Sequence, residues 1–376
     1  MSREAAALKV RRSPLAVAGA LILAFLTFAG SAAAEGIPDK RYKSLSVMPI
    51  LMYDSDIGLG YGGKARFVDY VGRKESFDLI LFNSSRGERW YVFTFSLPDL
   101  EIRQNKTYGL SLDLKAEYDK YLKYSFFGIG PDSRKEDETV FSHETKSLQL
   151  TLGRGISPEF VVEASYVLRG LTYARIAQGR PFSATLGRFG RQVVPYASLA
   201  LRYDTSDSQI HPRRGVRLVF QDDIASRSIG SADSSYNRVT LDLRKYVLLF
   251  GSNDVLAWRV LAQYVSGAQI PLFDLSSLGG GSILAAMRGY SLNRFLDKGK
   301  FLANLEYRFP VWKGLGGNAF IDGGTVWPSF DKIDLGRAVF DYGLGLRYYL
   351  ADFCVRLDVG FSREGTGLYF NFGHIF

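Results

Sequence analysis

The chain has 376 residues, a formal net charge of +9, 39 glycines, 27 phenylalanines and 22 tyrosines, but one cysteine and three histidines. The lone Cys354 excludes an intramolecular disulfide and a thiolate zinc cluster. The modest positive excess contains no run of like charges, so it carries no nucleic-acid signature. Aromatic strand formers and glycines favour one large β structure over the two or three soluble domains that the length alone would suggest.

Residues 1–34 read as a secretory signal peptide. Lys9, Arg11 and Arg12 precede an apolar run from Leu15 to Ala29, and Ala32-Ala33-Ala34 offers a small-residue cleavage site before Glu35. The run is shorter than the roughly 20 residues a membrane-spanning helix needs. Cleavage would remove four basic residues and one acidic residue, leaving a net charge of +6. Residues 35–43 then form a short N-terminal segment, too small for a folded domain.

Beyond residue 34 no stretch has 18 consecutive apolar residues, and the chain instead repeats segments of about ten residues in which apolar and polar positions alternate. Near the C-terminus Phe353, Val355, Leu357, Val359 and Phe361 oppose Cys354, Arg356, Asp358 and Gly360. Such segments are expected at 44–53, 56–70, 76–84, 88–97, 107–119, 140–153, 158–173, 190–204, 213–224, 234–250, 254–267, 299–310, 315–327, 338–350, 352–362 and 366–376. Merging two weak ones would give fourteen. A soluble sandwich also alternates, but sixteen such strands carry more apolar outer surface than one core could hide. A transmembrane antiparallel β-barrel over 44–376 resolves this, with lipid outside and a polar interior, and closure leaves no unpaired edge. With the N-terminus in the periplasm, short connections such as 251–253, 311–314 and 351 become periplasmic turns, and the long ones, 120–139, 174–189 and 268–298, lie outside. Trp258, Trp327, Tyr348 and Tyr349 are read as interfacial girdles.

Enzyme motifs are lacking. Gly58-Leu-Gly60-Tyr-Gly62-Gly63 fits a dinucleotide-binding spacing but sits inside a strand pattern with no following helix, where glycines on one face would make room in the interior. His143, His211 and His374 are scattered; His374 falls on the apolar outer register of the last strand, His211 in a turn from Asp204 to Gly215, and His143 beside side chains that point to opposite faces. No calcium loop, metal-ligand spacing or nucleophile elbow occurs, so no catalytic residue, cofactor or metal is expected.

Two features need explaining. The connection from about Ser266 to Asp297 is long for a barrel of tight turns and carries Met287-Arg288-Gly289-Tyr290. Some 32 residues later Phe320-Ile321-Asp322-Gly323-Gly324 presents a carboxylate between apolar and glycine positions.

Arg288-Gly289-Tyr290 resembles the V-R-G-F/Y motif of the bacterial surface antigen superfamily, the BamA/TamA/FhaC-type outer-membrane barrels, with Met287 in place of the usual valine. Phe320-x-Asp322-x-Gly324 resembles that superfamily's F-x-D-x-G signature, and the Asp204–Gly215 turn is similar to a recurring one. Phe376 and the alternating Phe370 and Phe372 resemble a C-terminal signal read by the barrel-assembly machinery during insertion. The resemblance is strongest over 190–376. It implies that the long extracellular loop folds into the lumen, that Arg288 meets Asp322, with Glu306 a possible second acceptor, and that the loop is latched there. It also places the protein in the Gram-negative outer membrane, among lipids. The N-terminal segment leaves no room for the periplasmic POTRA domains of that superfamily. The implied function is insertion or translocation of unfolded outer-membrane or secreted proteins; a passive or gated channel without assembly activity is the alternative.

Overall fold

The computed structural model describes residues 43–175, 190–231, 234–249, 254–350 and 354–376. Residues 1–42, which include the expected signal peptide and all but the last residue of the expected N-terminal segment, together with 176–189, 232–233, 250–253 and 351–353, lie outside the described residues. The architecture is a closed antiparallel barrel of sixteen strands in sequence order. They are β1 (Ser44–Asp54), β2 (Gly58–Val68), β3 (Ser76–Ser84), β4 (Arg89–Leu97), β5 (Tyr108–Phe126), β6 (Thr139–Gly155), β7 (Phe160–Arg175), β8 (Gly190–Val193 with Tyr196–Asp204), β9 (Gly215–Ala225) and β10 (Ser235–Leu249). The round is completed by β11 (Asp254–Gln269), β12 (Gly299–Trp312), β13 (Leu315–Trp327), β14 (Val339–Tyr349), β15 (Cys354–Ser362) and β16 (Gly365–Phe372). Both segments of β8 pair with β7, and the break falls at Pro195, which has no N–H to give to a ladder. Pairing of β1 with both β2 and β16 closes the round.

The ladder registers alternate an inward and an outward set along each strand, and on β12, β14 and β15 the inward set carries the buried charges. On β14, Phe340, Tyr342 and Leu344 are each about two-thirds exposed, whereas Asp341 and Arg347, one step off, are buried. Across the ladder Asp341 lies opposite Asp322, and Asn304 lies opposite Asp322 on the other side. This is the arrangement a bilayer imposes on strands that must bury charge and expose hydrocarbon.

Four expectations change. β5 continues to Phe126, seven residues past its expected end, where Tyr121, Tyr124 and Phe126 pack in one cluster with Phe141 and Tyr173. The last strand ends at Phe372: Gly373 takes φ +75 and sends Ile375 and Phe376 against Tyr246, Val255 and Ala257, all inward-register positions. His374 is therefore not on an outer face; its ring lies with His211 and Tyr349, and Tyr349 itself faces inward and is no girdle residue. Gly58–Gly63 stay within β2, and a Cβ at Gly60 would strike the Phe82 ring at 2.2 Å, so these glycines admit neighbouring side chains.

Candidate functional site

The connection between β11 and β12 holds a small ribbon, Ser276–Leu278 paired with Phe295–Asp297, and carries Arg288 near its far end. Arg288 is fully buried. Its Nε and Nη2 donate to Asp322 Oδ2 and Oδ1 at 2.8 and 2.9 Å, and its Nη1 donates to Glu306 Oε1 at 2.6 Å and Asp358 Oδ2 at 3.2 Å. The guanidinium also lies 3.4 Å from the centroid of the Phe320 ring. A planar fork can meet carboxylates from β13, β12 and β15 together; a lysine could not. Burial alone would lower the Arg288 pKa, but Asp322 and Glu306 hold it well above its ordinary value.

The carboxylates are themselves fixed. Arg308 Nε donates to Glu306 at 2.8 Å, Arg347 Nη1 to Asp358 at 2.6 Å, and Asn304 Nδ2 to both Asp322 at 2.8 Å and the Ala286 carbonyl at 2.9 Å. Asp322, Glu306 and Asp358 thus each have more than one donor, as burial of charge demands.

Glycines make the approach possible. A Cβ on Gly289 would lie 2.7 Å from the Asp341 Cβ and from the Phe361 carbonyl carbon, so the residue is glycine for space rather than for an unusual φ. A Cβ on Gly324 would meet Leu278, and one on Gly343 would overlap the Phe320 ring. Tyr290 is buried with Leu278, Met287, Phe295, Leu302 and Val326. Of the residues singled out from sequence, Arg288, Gly289, Tyr290, Glu306, Phe320, Asp322 and Gly324 all converge here. Phe370 and Phe372 are on the outward register of β16, and Phe376 instead turns inward, where its main-chain oxygen accepts from Arg308 Nη2 at 3.0 Å.

Residues 71–376 match the Omp85 superfamily domain. The chain belongs to the Omp85 superfamily. Its fold is similar to that of BamA from Haemophilus ducreyi lacking POTRA domains 1–3, with a TM-score of 0.65 and 14% identity over 94% of this chain and 78% of that one. It is also similar to CdiB from Escherichia coli (TM-score 0.61, 11% identity, 90% of this chain and 63% of that one) and from Acinetobacter baumannii (0.54, 14%, 88% and 59%). The chain therefore spans less than two thirds of either CdiB chain. A search of curated proteins found no match. The family resemblance drawn from the paired motifs is thereby shown, and at these identities the likeness to solved structures is one of fold.

This Omp85 barrel holds its β11–β12 connection at further points that carry no sequence motif. Asp274, fully buried, accepts from Arg169 of β7 at 2.9 and 2.5 Å and from Arg238 of β10 at 3.0 Å. Burial would raise the Asp274 pKa, yet Arg169 and Arg238 together hold it below the usual carboxylate range. Phe273, its neighbour, stacks on His143 at 4.2 Å, which gives that histidine a packing role. Arg294 donates to Glu364 at 2.6 Å and to the Ser133 carbonyl at 2.7 Å, tying the connection to those of β5–β6 and β15–β16. Lys300 of β12 donates to the carbonyls of Leu284 and Ser277 at 2.6 and 3.2 Å, and Arg259 donates to that of Ile283.

The closing seam is short. β1 and β16 share only Tyr53–Phe370 and Asp54–Tyr369 as register pairs, supplemented by Ser55 N to Leu368 O at 3.0 Å. By contrast β1 pairs with β2 along its whole length from Ser44 to Asp54, and β16 pairs with β15 from Gly365 to Phe372.

Proposed function

We propose that this protein is an outer-membrane barrel that helps insert or translocate unfolded outer-membrane or secreted polypeptides, and that it works by parting β1 from β16. The short seam is the observation that supports this reading. Ser44–Met52 of β1 have no β16 partner among the described residues, and in hydrocarbon an unpaired run of N–H and C=O groups is costly. Such an edge is relieved by adding a strand, which an incoming polypeptide can supply. The Omp85 family and the fold shared with BamA and CdiB favour the same class of role.

In this reading the β11–β12 connection folds into the lumen from the extracellular side. The Arg288 cluster holds it to β12, β13 and β15 and Asp274 holds it to β7 and β10, so the seam can part while the rest of the barrel keeps its shape. A passive or gated channel is the competing reading.

The test is a disulfide across the seam, Tyr53→Cys with Phe370→Cys, in protein reconstituted with an unfolded outer-membrane barrel as client. Client folding should stop on oxidation and return on reduction. Undiminished client folding by the oxidised double variant would overturn the seam mechanism, and large steady currents in planar bilayers from the wild type would favour the channel.

A further inference from the structure

A cavity of about 480 Å³ lies between the β11–β12 connection and the inward faces of β5 and β7–β12. Its lining carries five cationic side chains, Arg169, Arg202, Arg238, Arg244 and Lys300, against three acids, Asp119, Asp223 and Asp242. Asn293, 7% exposed, directs an Nδ2 with no hydrogen-bond partner into it, and the Nε of the buried Arg169 is likewise unpartnered. Lys300, 2% exposed, donates to two uncharged carbonyls and to no carboxylate among the described residues, which leaves one of its three hydrogens unspent. Arg244, also on the lining, must share Asp242 with Arg259.

Unused donors in a buried site are costly, and donors approaching from an amide, a guanidinium and an ammonium on different elements suit a ligand with several acceptor oxygens. A phosphoryl group brings three acceptor oxygens and up to two negative charges to such donors, where a carboxylate brings two oxygens and one charge. Tyr124, Phe273, Leu275 and Leu292 supply an apolar side to the same space. The volume is that of an ordinary small-molecule site.

The geometry points to a binding site for a phosphate ester, its phosphoryl oxygens on Lys300, Asn293 and Arg169 and its carbon portion against the aromatic side. The inference does not depend on whether the barrel assembles proteins or conducts solutes. Two sources share this chemistry, an anionic phospholipid headgroup and a soluble phosphate ester.

The full chain, purified in detergent and depleted of lipid, is titrated calorimetrically with glycerol 3-phosphate, with sodium chloride of equal ionic strength as blank. The wild type should bind, and both Lys300→Gln and Asn293→Asp should weaken binding about tenfold or more, as loss of a charge-assisted donor or introduction of a like charge requires. Asn293 has φ +56, which aspartate also tolerates, so Asn293→Asp separates ligand loss from the disturbance that Lys300→Gln could cause in the connection. Heat-modifiable gel mobility verifies that each variant is folded. Phosphatidylglycerol carried through purification by the wild type and lost from both folded variants assigns the lipid source; binding of glycerol 3-phosphate without such lipid assigns the soluble one. Absence of both, or binding equal in wild type and both variants, overturns the site.

Discussion

Gly360 and Gly367 face each other across the β15–β16 ladder, and a Cβ on either would fall within 2.5 Å of the Arg288 carbonyl oxygen. The two missing side chains form a slot in the wall into which the backbone of the connection is laid. Ser362 Oγ then donates to the Gly289 carbonyl at 2.7 Å, at the rim of the same slot. Gly367→Ala should push the backbone away and draw Arg288 from its carboxylates, at a cost of about 1–3 kcal/mol for overpacking. The thermal midpoint of heat-modifiable mobility should fall for Gly360→Ala and Gly367→Ala. Gly72→Ala, where nothing lies within 4 Å of the new Cβ, should lose less, although its φ of +80 still imposes some strain.

Removal of the guanidinium is more severe than crowding it. Arg288→Ala leaves Asp322, Glu306 and Asp358 without their shared cation in a site closed to solvent, and the loss should be about 3–5 kcal/mol. Arg288→Lys should recover only part of it, since a point charge cannot meet three strands at once. Because three acids share Arg288, the swap Arg288→Asp with Asp322→Arg should rescue Arg288→Asp partially and no more. Urea denaturation midpoints of the four proteins measure this; a full rescue would mean that Glu306 and Asp358 contribute nothing.

The strands and the Arg288–Asp322 pair were legible because both leave local marks: alternation for the first, and two short motifs in order for the second. Asp274 leaves none. Its partners Arg169 and Arg238 lie on β7 and β10, and the run Leu272-Phe273-Asp274-Leu275 resembles any turn. Lys300 was hidden for the same reason, since its acceptors are backbone carbonyls that no side-chain pattern announces. His374 was misplaced because alternation was extended past Gly373, whose positive φ breaks the strand at a single residue. The length of the β1–β16 seam was beyond any sequence pattern, because it depends on how two distant strands end up aligned.

Asp274 is held by β7 and β10 whereas Arg288 is held by β12, β13 and β15, so loss of Asp274 should free the first half of the connection while Arg288 holds the second. In Asp274→Asn the arginines Arg169 and Arg238 face one another with no acid between them, and stability should fall by an amount similar to the loss of any buried ion-pair partner, about 3–5 kcal/mol. The pH signature follows from its depressed pKa: the contribution is complete above the ordinary value of 3.8 and is lost only as pH falls below it. Hydrogen exchange should show faster exchange at residues 270–278 in Asp274→Asn, with amides near Arg288 unchanged.

At the short-turn end, His211 and His374 form a pair whose titration should be visible at milder pH. His211 Nδ1 lies 3.4 Å from His374 Nε2, and the His211 ring packs at 4.0 Å on Tyr349. Burial first, then Arg308 and Arg213, lower the His211 pKa to about 4, against the partial opposition of Asp207; burial, Arg308 and Arg347 lower that of His374 as well. Since the folded value lies below the unfolded 6.5, the unfolded chain takes up protons first on acidification. The contribution of this pair is therefore whole above pH 6.5 and declines as pH falls toward about 4. His211→Phe keeps an aromatic ring on Tyr349 but cannot take a proton, so its denaturation midpoint should vary less across that window than that of the wild type. If wild type and His211→Phe show the same slope between pH 6.5 and 4, the histidine ring is not a titrating element of this end of the barrel.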